Sequence, residues 1–76
     1  MIHRAMTEYA VIYEHGPTSW GAWVPDLPGC VAAGETRAAV ETLIADAIPA
    51  HLEVMRERGE AIPEPASQAG AVQVPA

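Results

Sequence analysis

The chain has 76 residues, ten acidic side chains against four arginines, no lysine, and a net charge of -6. That length holds one small domain, and the acidity opposes binding to phosphate backbones, whose neutralisation depends on Lys and Arg. Half the residues are apolar, too many for a disordered acidic chain, while no stretch approaches the ~20 apolar residues that cross a bilayer.

The first predicted element is a strand over "EYAVIYE", Glu8 to Glu14, rich in aromatic and β-branched residues and stopped by the turn-forming "HGPTS". "WGAWVP", Trp20 to Pro25, follows at once and completes an antiparallel hairpin. The period of two puts Trp20, Ala22 and Val24 on one face of it and Gly21, Trp23 and Pro25 on the other. At most one tryptophan can therefore face a single core, and the other is either covered in a dimer or exposed as an anchor for a partner.

"VPDLPGCVAAGET", Val24 to Thr36, turns the chain. Its prolines end the second strand, Gly29 permits the bend, and "CVAAG" from Cys30 to Gly34 forms a short third strand running back beside the second. Thr36 caps a helix whose apolar positions Val40, Leu43, Ile44, Ala47, Ile48, His51, Leu52 and Met55 recur every three or four residues. The helix is expected to end near Arg58, with Gly59 in the left-handed cap position. Pro49 removes one helical hydrogen bond and predicts a kink, since the apolar stripe stays in register past it; division into two helices is the alternative. After Gly59 comes a proline-punctuated connection over 60–70, and "AVQV", Ala71 to Val74, is available as a fourth, edge strand pairing with this sheet or with another subunit. The expected architecture is α+β: an antiparallel sheet of three to four strands packed on one helix, in the order β-β-β-α-β. It is read as one domain over 1–76, with a core spanning 8–59.

No catalytic, cofactor or metal site is expected. The three histidines, His3, His15 and His51, do not pair at a metal-ligand spacing; His51 borders the helix stripe, and His3 belongs to the terminus. Cys30 lacks the CxxC pattern or basic neighbour of an activated thiol and reads as a small core residue. One cysteine makes no internal disulfide, and the N-terminus has no uninterrupted apolar core ending in a cleavage site, so a soluble cytoplasmic protein is expected. A chain of this size buries a modest share of its surface, so a homo-dimer or higher oligomer, or a partner protein, is expected as well. Asp26 and Glu35 flank the corner as a turn former and a residue beside the helix start.

The order of these signals, "YAVIYE", then "WGAWVPDLPGCVAAGET", an alanine-rich helix and "GEAIPEPAS", resembles the HicB-like antitoxin family over roughly residues 8–67. The resemblance implies a partial ribonuclease H-like fold and a protein that binds and neutralises a small, basic, mRNA-cleaving toxin of the HicA type. The negative surface would suit such a partner and speed encounter with it. Trp20, Trp23, Asp26 and Glu35 are the candidate partner contacts, with acids on the polar helix face. Two departures from the family stand out: Arg37, Ala38 and Ala39 replace the acidic residues that often follow the threonine, and nothing after Gly70 is long or basic enough for a DNA-binding segment. The chain is therefore expected to be a short form that binds no nucleic acid by itself. The competing readings are a small metal-dependent nuclease or hydrolase using Asp26, Glu35 and Asp46, and an orphan interaction domain without its toxin.

Overall fold

The computed structural model describes residues 7–76, so His3 lies outside the described residues. Strands β1 (Ile12–His15), β2 (Trp20–Trp23) and β3 (Val31–Gly34) precede helix α1 (Arg37–Glu57). The sheet is an antiparallel meander in the order β1-β2-β3. Tyr13, Ala22 and Ala32 stand opposite one another across the three strands, as do Ile12, Trp23 and Val31.

β1 starts later than its composition predicts. A strand exists only where a neighbour takes up its backbone groups, and β2 offers four residues of partner, Trp20 to Trp23. Upstream of them the chain meets its own C-terminal part instead, where the Tyr9 hydroxyl donates to the Pro63 carbonyl. Between β1 and β2 the turn is closed by the Gly16 amide donating to the Ser19 carbonyl at 2.8 Å.

The corner consists of two linked turns. The Leu27 amide donates to the Val24 carbonyl at 3.1 Å and the Cys30 amide to the Leu27 carbonyl at 3.0 Å, while the Val24 amide reaches the Cys30 carbonyl at 3.2 Å across the base. Gly29 adopts φ 85°, a left-handed conformation that other residues take only at a cost. The result folds Leu27 inward until it is fully buried.

Helix α1 begins as expected: Thr36 is extended, and its hydroxyl accepts the Ala39 amide at 3.1 Å. Arg37, an unfavourable charge at a helix start, is occupied elsewhere. Its guanidinium lies 4.6 Å from the Tyr13 ring centre and its Nε donates to Glu41 at 2.9 Å, which ties the helix start to β1. The helix is not split at Pro49 but runs unbroken to Glu57. At its end the Gly59 amide donates to the Arg56 carbonyl and the Glu60 amide to the Met55 carbonyl, the two bonds of a Schellman cap, with Gly59 at φ 69°.

The core is small and lies between the helix and the inner sheet face: Ala22, Val24, Leu27, Cys30, Val40 and Ile44. Leu43 departs from its expected place in the stripe, being 47% exposed. It sits one helical step to the side of Ile44, and a sheet of three short strands is too narrow to cover both.

The optional fourth strand is not formed. Residues 71–74 carry no secondary structure, and Val72 and Val74 are exposed, because no strand edge among the described residues takes up their backbone groups.

Candidate protein-binding surface

With one helix on one side, the sheet presents its other side to solvent. Ile12, Trp23 and Val31 form an apolar row across all three strands on that side, with Trp23 41% and Val31 64% exposed. Glu14, on the same face, accepts a hydrogen bond from the Trp23 indole Nε1 at 2.8 Å. The bond fixes the indole and sets a carboxylate beside an exposed aromatic surface, an arrangement suited to an amphipathic or basic protein surface.

Trp20 lies on the opposite, helix-facing side, half-buried against the core. Its ring stacks on His15 with centroids 4.4 Å apart and planes within 4°. The two are cross-strand partners at the end of the hairpin next to the turn, so the stack closes that end of the core while His15 stays exposed.

Asp26 is occupied within the chain. One carboxylate oxygen accepts the Ala66 and Ser67 amides, both at 3.0 Å, and the other accepts the Ser67 hydroxyl at 2.9 Å. These bonds, the Ser67 amide first and the Ala66 amide second, hold its carboxyl below the ordinary carboxylate range against the opposing effect of partial burial. Glu35 is exposed at the far end of β3, next to the helix cap. The four sequence candidates thus do not form one patch. Trp20 and Glu35 are at one end of the sheet, Trp23 and Asp26 at the other, and the tryptophans face opposite ways.

Among the described residues no three His, Cys, Asp or Glu side chains gather into a group able to hold a metal ion. Asp26, Glu35 and Asp46, the set a metal-dependent nuclease would need, stand at the corner, at the end of β3 and on the exposed helix face. Cys30 is buried and its thiol is pushed up by desolvation, the reverse of what a nucleophile needs. No helix among the described residues is long and apolar enough to cross a membrane.

Three features escaped the sequence reading. Leu27, flanked by turn residues, carries no periodic signal, although an isolated leucine in a proline-glycine corner is itself a hint of inward folding. Glu14 and Trp23 are brought together only by strand register. Nothing local marks Ser67 as the partner of an aspartate 41 residues away.

A family model described as the HicB-like antitoxin of bacterial toxin-antitoxin systems matches residues 9–76. Among curated relatives, Antitoxin HicB 2 of Photorhabdus laumondii subsp. laumondii is 33% identical over 69 residues, which is 90% of this chain and 50% of the relative. The chain therefore spans about half the length of that relative. The matched region holds the three strands, the Pro-Gly corner, the capped helix and the segment anchored on Asp26, and the chain belongs to the HicB-like antitoxin family, a family of non-enzymatic regulatory proteins.

Proposed function

We propose that this chain neutralises a small, basic, HicA-type mRNA-cleaving toxin by binding it, acting in the cytoplasm and without chemistry of its own. The observation that carries this reading is the family match over residues 9–76. Physical support comes from the charge of -6, which repels nucleic acid and attracts a basic protein. It comes also from the uncovered row of Ile12, Trp23 and Val31, with Glu14 beside it. A partner laid on that row would desolvate Trp23 at its centre, the position in which aromatic residues contribute most to affinity. Glu35 and the acids of the polar helix face would then guide approach, whereas Trp20 and Asp26 would maintain the shape of the domain.

Co-expression of the chain with a HicA-type toxin tests the proposal. Growth should recover, and the two proteins should purify together. Trp23→Ala should weaken the complex by more than about tenfold, since a central aromatic anchor is worth roughly 2 kcal/mol or more. A chain that leaves the toxin active, or that cleaves RNA unaided, would overturn the reading.

A further inference from the structure

Beside the apolar row runs a second row on the same open face, where Glu14, Gly21 and Ala33 stand opposite one another. Trp23 thus rises next to a floor on which Gly21 has no side chain and Ala33 only a methyl. A glycine inside a strand marks a bulge, a tight bend or the close approach of another group. Gly21 keeps regular register with both neighbouring strands and its φ is not positive, so neither a bulge nor a bend accounts for it. Nor does crowding within the fold. A Cβ at this position would meet only the Ala32 carbonyl oxygen, at an ordinary 3.8 Å, and a β-branched residue would suit the strand better. The space over Gly21 is open, and the glycine keeps it so.

That space has a carboxylate at its side. The Trp23 indole Nε1 donates to one oxygen of Glu14 at 2.8 Å, and among the described residues Glu14 makes no ion pair. Glu35, exposed and likewise without an ion pair among those residues, follows two positions beyond Ala33. The helix side of the sheet shows what such a pair can hold. There the Arg37 guanidinium lies 4.6 Å from the Tyr13 ring centre while its Nε donates to Glu41 at 2.9 Å, so that one arginine covers an aromatic face and meets a carboxylate. On the open side Trp23 and Glu14 supply the aromatic face and the carboxylate, and no arginine of the described residues joins them.

We propose that the space over Gly21 and Ala33 receives one arginine side chain of the toxin, its guanidinium stacked on Trp23 and paired with Glu14. This rests on the neutralising role proposed above and names the toxin group that the sheet face selects. A guanidinium is planar and delocalised, so it can lie on an indole and donate to a carboxylate at the ring edge at once, whereas an ammonium is a compact point charge. Because Glu14 already holds the indole, the wall of the slot is set before the arginine arrives, and less ordering is left for binding to do. A neutral or acidic group in its place would cover the carboxylate without a counter-charge, which makes the slot selective as well as attractive.

Two measurements test this. The first needs no toxin: two-dimensional NMR of the chain titrated with millimolar N-acetyl-arginine amide. The Trp23 indole signal and the Gly21 and Ala33 amides should shift, those of the acidic helix face should stay, and the neutral isostere N-acetyl-citrulline amide should move none of them. Glu14→Gln and Gly21→Val should each abolish the Trp23 response. Glu14 is exposed and a side chain at 21 meets no close contact, so both variants should keep the wild-type thermal midpoint. The second measures affinity for an inactive form of the toxin used in the co-expression test. Each substitution should weaken binding about tenfold, and one toxin arginine, changed to glutamine, should cause no further loss when combined with Glu14→Gln. Capture indifferent to both substitutions, or an arginine response spread evenly over the acids of the chain, would overturn this proposal and leave neutralisation standing. A chain that captures no toxin would overturn the neutralising role and this proposal with it.

Discussion

A single carboxylate ties the later part of the chain to the corner. Asp26 accepts two backbone amides and a hydroxyl from Ala66 and Ser67, and so places the segment after the helix beside Tyr9 and Ala10. Hydrogen bonds to a charged acceptor are stronger than neutral ones, and here three converge on one side chain. Asp26→Asn should therefore loosen this segment while leaving the helix intact, seen as faster hydrogen exchange at the Ala66 and Ser67 amides with no change at the helical amides. The pH dependence follows from the lowered carboxyl. A group whose folded pKa lies below its unfolded value stabilises the fold above the unfolded value and loses that contribution as pH falls through the folded one. Protection at Ala66 and Ser67 should accordingly persist through mildly acidic pH and fail only below the ordinary carboxylate range. Failure near neutral pH would show that the carboxylate is not the anchor. Asp26 was legible in the sequence as a turn residue, but its partners were not, since they lie 40 and 41 residues further along the chain.

At the scale of the element, helix α1 is defined by its ends and disturbed at its middle. Thr36 satisfies one of the free amides of the first turn and Gly59 provides the left-handed residue that closes the last. Pro49 leaves the Ala45 carbonyl without its helical donor, yet the helix continues because Val40 and Ile44 before it and Leu52 and Met55 after it pack on the same core. With no acid in the first turn to help, the cap is the main local support of the helix start. Thr36→Ala should cost about 1 kcal/mol, read as a lower urea midpoint at unchanged slope. A loss of only a few tenths would mean that packing alone sets the start. The two helix ends, the Pro-Gly corner and the hairpin were readable because each is a local event within a few residues. The start of β1 was not, since β-branched composition shows where a strand is permitted while its partner shows where it is made.

For the whole molecule, the decisive fact is that one small core is shared by every element. Ala22 and Val24 come from β2 and its exit, Leu27 and Cys30 from the corner, Val40 and Ile44 from the helix, and Tyr13 of β1 and Ala32 of β3 pack against them. Ile44→Ala should cost roughly 2–5 kcal/mol, a large part of the 5–15 kcal/mol by which small domains are stable. Because no second core exists among the described residues to hold a part of the fold, circular dichroism and tryptophan fluorescence should lose their signals in one transition at lower temperature. Two separated transitions would contradict a single cooperative unit. The same thinness leaves Trp23 and Val31 exposed on the outer sheet face. By itself the sequence determined the element order up to the helix, the capping residues, the placing of Trp20 and Trp23 on opposite faces, and the family resemblance, since these rest on local backbone preferences and side-chain alternation. Only the tertiary structure decided which tryptophan turns outward, that Leu27 belongs to the core and Leu43 does not, that Asp26 holds Ser67, and that residues 71–74 stand unpaired. Each of those outcomes depends on surfaces that meet only after the sheet, corner and helix have closed on one another, and no local preference encodes that meeting.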